Sequence, residues 1–130
     1  MKSILLFSTL LVTIGFTSCN KTAGEGGTST ITGKVYVIDK NGAGDINAEY
    51  YGMDEDVFII YGNDSKTYSD KFATSYDGSY SFTNLTPGEY TVFAYSDCAT
   101  CDSGIEAIKK TITVSNKKEV IEVGDLIIIQ

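Results

Sequence analysis

The sequence predicts an all-β fold, a seven-stranded antiparallel β-sandwich over residues 30–130, and three observations predict it. Apolar and polar residues alternate with period two in short runs, the pattern of a strand with one buried face. Between the runs lie clusters of Gly, Asn, Asp and Ser, the residues that turn a chain. No segment beyond residue 30 carries an apolar stripe at helical spacing.

The elements follow in order. In 31–39, Ile31, Val35 and Val37 fall on one face and Thr32, Lys34 and Tyr36 on the other. Residues 40–45 (Lys-Asn-Gly-Ala-Gly-Asp) form a turn. The run 56–61 is rich in β-branched and aromatic residues and is the second strand. A turn at 62–65 leads to a polar third strand, 66–74, expected at a sheet edge with Tyr68 and Phe72 on one face. Tyr76-Asp77-Gly78 is a tight turn in which Gly78 supplies positive φ. The fourth strand, 79–82, points Tyr80 and Phe82 together. After Thr86-Pro87-Gly88, the fifth strand, 89–95, aligns Tyr90, Val92 and Ala94. A cysteine loop at 96–104 precedes the sixth and seventh strands, 107–114 and 119–129. The closing Leu-Ile-Ile-Ile run asks for burial on both faces or for a covering sheet.

Residues 77–90 read Asp-Gly-Ser-Tyr-Ser-Phe-Thr-Asn-Leu-Thr-Pro-Gly-Glu-Tyr. They resemble the D-G-x-Y/F-x-F-x-x-L-x-x-G-x-Y hairpin of carboxypeptidase regulatory-like domains, and 33–42 is similar to the first strand and turn of that family. The resemblance implies a transthyretin-like (prealbumin-like) sandwich that serves as an accessory module rather than a catalyst. Side-chain chemistry agrees, because Tyr80, Phe82, Leu85 and Tyr90 can form one cluster around a turn fixed by Gly78, Pro87 and Gly88. The chain departs from the pattern by inserting 46–55 before the second strand.

The first residues read as an address. Lys2 supplies a positive start, 4–16 is apolar, and Thr17 and Ser18 are small, which describes a secretory signal over 1–18. The apolar run is too short to span a bilayer, where about 20 residues are needed. Phe16-Thr17-Ser18-Cys19 resembles the lipobox of bacterial lipoproteins, with Phe16 and Ser18 departing from the usual residues. That resemblance implies cleavage before Cys19 and acylation of its sulfur. Residues 19–29, small, polar and glycine-rich, would then be a flexible tether.

Composition bounds the chemistry. The chain of 130 residues carries a net charge of −7, its basic residues are all lysine, and it has no histidine. An acidic chain repels phosphate backbones, so nucleic acid is not an expected partner. Without histidine and arginine there is no Ser-His-Asp or Cys-His pair, no His-ligated zinc and no arginine clamp for phosphoryl transfer.

Two regions stand out. Cys98 and Cys101 lie between Asp97 and Asp102, and in an exported chain they should form a disulfide. A redox role is disfavoured, since flanking carboxylates raise a thiol pKa. The acidic, tyrosine-rich stretch holding Asp45, Glu49, Tyr50, Tyr51, Asp54, Glu55 and Asp56 reads as a long binding loop. No cofactor is expected: the oxygen ligands would suit calcium, but the spacing is not that of an EF-hand, and a solvated loop of turn-forming acids is the preferred reading. The expectation is therefore a non-enzymatic lipoprotein of the bacterial cell envelope, lipid-anchored at the outer membrane, binding an envelope protein or a glycan. The alternative is a structural or adhesin-like subunit that assembles by strand addition.

Overall fold

The computed structural model describes residues 22–62 and 67–130. The signal at 1–18 and Cys19 lie outside the described residues. Those described form an all-β fold of nine strands in two sheets that enclose one core and do not close into a barrel.

The strands are β1 (Glu25–Lys40), β2 (Ile46–Tyr51), β3 (Asp56–Tyr61), β4 (Asp70–Ala73), β5 (Ser79–Leu85), β6 (Gly88–Asp97), β7 (Ile105–Val114), β8 (Val120–Glu122) and β9 (Leu126–Ile129). One sheet is ordered β4-β3-β6-β7, antiparallel throughout. The other is built on β1, a strand of 16 residues. Along one edge of β1 run β5 and then β2, both antiparallel; along the other run β8 and then β9, both parallel.

The hand-over from β5 to β2 falls at Val35. Its N–H donates to the Gly78 carbonyl (2.9 Å) and its carbonyl accepts from Gly52 N–H (3.0 Å). Gly78 sits at φ +78°, and a Cβ there would lie 2.8 Å from Cβ of Tyr51 and 2.9 Å from the Val35 oxygen. Only glycine fits this left-handed junction between two strand ends.

The core takes the inward residue of each alternation: Ile31, Val35 and Val37 of β1, Val57 and Ile59 of β3, Tyr80, Phe82 and Leu85 of β5, Tyr90, Val92 and Ala94 of β6. Ile112 and Val114 of β7 and Leu126 and Ile128 of β9 complete it. The cluster foreseen from the 77–90 hairpin is thus present and buried. Tyr90 also closes a corner: its hydroxyl donates to the Thr86 carbonyl (2.6 Å) and accepts from Gly24 N–H (2.9 Å). Gly33 leaves room for the Tyr80 ring, since a Cβ there would meet its hydroxyl at 2.5 Å.

Four expectations are corrected. Nine strands replace seven, because 46–51 is a strand rather than a loop and the run 119–129 is split at Val123–Asp125. The β1 sheet is mixed rather than antiparallel, because the chain leaves β7, crosses between sheets and returns along β1 in its own direction. The expected tether reaches into the fold: β1 begins at Glu25, and Ser29 is fully buried, its hydroxyl donating to the Asn116 carbonyl at 2.8 Å. Tyr68 and Phe72 lie on opposite sides, since Tyr68 packs on Phe58 and Phe72 on Phe82. The Leu126–Ile129 run has the covering sheet, the second of its two expected solutions: Leu126 and Ile128 are buried in the core between the sheets, and Ile127 is exposed.

Candidate functional site

Period-two alternation gives each strand of the four-stranded sheet an outer face as well as an inner one. On β3 the inward set is Val57, Ile59 and Tyr61, so Phe58 and Ile60 point out. On β6 the inward set is Tyr90, Val92 and Ala94, so Phe93 and Tyr95 point out. Phe58 and Phe93 are register partners, and their rings stack at 5.1 Å between centroids, 20° apart. Tyr68 covers Phe58 at 4.7 Å, and Tyr95 stands edge-on to Phe58 and Phe93, 5.6 Å from each. The phenylalanines are nearly buried at 9% and 6% exposure, whereas Tyr68 and Tyr95 are each 51% exposed.

Phe58 supports the two tyrosines from behind. A shallow groove of about 380 Å³ lies against them, lined by Ile60, Tyr68, Phe93, Tyr95, Ala107 and Lys109. Neither tyrosine hydroxyl nor the Lys109 ammonium has a partner among the described residues, so all three remain free to bond a ligand. A ligand with one apolar face and a polar rim fits such a surface. Sequence reasoning missed this site. The signal was present: with Tyr90, Val92 and Ala94 assigned inward, Phe93 and Tyr95 had to point to solvent.

The stretch expected to form a binding loop is dispersed instead. Asp45 ends the β1–β2 turn, its N–H donating to Asn41 Oδ1 (2.9 Å). Glu49, Tyr50 and Tyr51 lie in β2, exposed. Tyr51 is tied to the fold: its hydroxyl donates to Asp125 (3.1 Å), Tyr36 packs edge-on at 5.2 Å, and Lys34 Nζ sits 4.8 Å over its ring. The hydrogen bond to Asp125, and then that carboxylate's charge, push the Tyr51 phenol up. Asp54 occupies a turn at φ +61°. Glu55 accepts from Gln130 Nε2 (2.9 Å), and Asp56 pairs with Lys71 (3.3 Å). No three of these acids bring oxygens within 4.8 Å of one another, so no calcium cage is assembled among the described residues.

Cys98 and Cys101 form the expected disulfide, with Cα atoms 5.3 Å apart. Glu106 approaches both sulfurs, but bonded sulfurs offer no thiolate to a metal. This loop, the 41–45 turn and Gln130 surround a wider depression of about 750 Å³ at the end of the molecule remote from Gly24.

No family model matches the chain, and no curated protein matches it in sequence. Among solved structures it is similar to the crystal structure of a proposed carbohydrate-binding protein from Pseudomonas aeruginosa, at 16% identity and a TM-score of 0.47, over 83% of this chain and 92% of that one.

Proposed function

We propose that the chain is a non-enzymatic, glycan-binding module of the bacterial cell envelope, held at the outer membrane by lipid on Cys19. The observation that carries the reading is the four-ring face of Phe58, Tyr68, Phe93 and Tyr95 on the outside of a sheet, where an unpartnered domain places polar residues. A sugar ring has an apolar face of C–H bonds and a rim of hydroxyls. Stacked between the two tyrosines, it would bury the first and offer the second to Lys109 and the phenolic hydroxyls. A neutral glycan suits a chain of net charge −7 better than an acidic one.

The absence of catalysis is part of the proposal. The chain has no histidine, and among the described residues no carboxylate lines the groove. The assignment to the carboxypeptidase regulatory-like, prealbumin-like sandwiches also belongs to it, supported by the buried Tyr80, Phe82, Leu85 and Tyr90 cluster.

The test is a panel of neutral envelope and plant oligosaccharides titrated into the protein, with Tyr68→Ala and Tyr95→Ala as variants. At least one glycan should bind, and each variant should lose it by about tenfold, near 1.4 kcal/mol. Binding that both variants retain, or none across the panel, would overturn the reading. The anchor is tested separately by the intact mass of membrane-extracted protein, which should begin at an acylated Cys19.

A further inference from the structure

A second surface lies on the other sheet. We infer that the free edge of β2 is a docking site for an extended segment of a partner protein that bears lysine or arginine at alternate positions.

The edge strands differ in how they are protected. β4 is four residues long and carries Asp70 and Lys71. β7 carries Glu106, Lys109 and Lys110 along its length. Short strands and lysines of this kind keep edges from pairing with other chains. β2 has six residues, Ile-Asn-Ala-Glu-Tyr-Tyr, without lysine or proline, and every one of them is exposed. It pairs with β1 on one side, and among the described residues no strand lies on the other. Alternate main-chain N–H and C=O groups therefore face outward from a strand that also displays Ile46 and Tyr50.

Charge selects the occupant. Glu49 lies in the strand, Asp39 opposite Ala48 on β1, and Asp45 and Asp54 just before and after it. Against them stand Lys40 opposite Ile46 and Lys34 over the Tyr51 ring. Lys34 is already paired with Asp77, and none of the four acids has a cation partner among the described residues. An added strand with alternate basic residues would set its ammonium or guanidinium groups on the face that Glu49 occupies, between the acids at the two ends of β2, while its main chain completes the sheet. A second copy of this chain would bring a like-charged strand, with Glu49 again its one charged residue.

The probe is a synthetic heptapeptide alternating lysine and valine, followed by fluorescence anisotropy and amide hydrogen exchange on the whole chain. The peptide should bind and should slow exchange in β2. A heptapeptide alternating glutamate and valine should not bind. Glu49→Lys, a change on an exposed side chain, should weaken binding by at least about tenfold. N-methylation of alternate peptide nitrogens should abolish it at unchanged charge. Equal binding of the N-methylated peptide, or no protection in β2, would overturn the inference. So would self-association of the protein alone that protects β2 at high concentration, because the occupant would then be a second copy. Tyr68→Ala and Tyr95→Ala should leave peptide binding unchanged, which separates this surface from the aromatic groove.

Discussion

On the outer face of the five-stranded sheet, Tyr51 is used up by the fold: its hydroxyl bonds Asp125, its ring face meets Lys34, and Tyr36 packs on its edge. On the outer face of the four-stranded sheet, Tyr68 and Tyr95 lean on Phe58 with their hydroxyls unengaged and half of each surface in solvent. Fractional exposure barely separates the two faces, since Tyr51 is 44% exposed. Partnership separates them. A tyrosine whose ring and hydroxyl are both engaged stabilises its surroundings, and one held by its ring alone can still receive a ligand.

The largest expected effect breaks the second face. Phe58→Ala removes the ring on which Tyr68, Phe93 and Tyr95 all rest, and urea denaturation should show a loss of about 3 kcal/mol. A loss below about 1 kcal/mol would mean that the rings are not a packed unit. The next variant acts on the first face. Gly78→Ala forces a methyl group to within 2.8 Å of Cβ of Tyr51 at φ +78°, and should cost about 2 kcal/mol by the same measurement.

A smaller effect concerns Tyr80, a tyrosine of neither face. Its hydroxyl is buried without a partner, so Tyr80→Phe should be neutral or stabilise the protein by up to about 1 kcal/mol. Burial, with a lesser push from Asp125, drives the Tyr80 phenol up to about 12. A raised phenol favours the native state below its unfolded value, near 10, and that stability is lost as pH rises toward about 12. Alkaline titration of stability should therefore be shallower in Tyr80→Phe.

The smallest effect belongs to Asp77. Hydrogen bonds from Ser79, and then the Lys34 charge, hold its carboxyl below the ordinary value of 3.8. The stability it lends is present above that value and is lost as pH falls through the lowered one. Asp77→Asn should lower stability slightly at neutral pH and leave it almost unchanged in acid, which flattens the acid limb of the stability profile.

What could be read from the sequence follows the range of the interactions. The 77–90 hairpin was legible because its turn and its core residues lie within a few positions of one another. The disulfide was legible for the same reason. The pairing of Thr30 with Val120 and of Val35 with Leu126 was not, because nothing local tells a strand which distant neighbour it will meet. Residues 25–29 read as tether because Gly26, Gly27, Thr28 and Ser29 have little to bury. Their place in β1 comes from main-chain pairing and from Gly27, where a Cβ would collide with the Leu85 carbonyl. β2 was taken for a loop because neither of its faces is buried, which removes the alternation by which a strand is recognised.

The bond from the Thr86 hydroxyl to the Thr22 carbonyl (2.8 Å) sets the length of a leash. If Cys19 carries the proposed lipid, only three residue steps separate it from a fixed point on the domain, a reach of about 11 Å at full extension. The 16 residues of β1 span roughly 50 Å. A body longer than its leash would stay close to the bilayer and pivot about its anchor, while the anchor itself diffuses in the membrane plane. The aromatic groove would then lie on the side of the anchored domain and meet chains lying parallel to the membrane, while the disulfide-braced tip would point away from it.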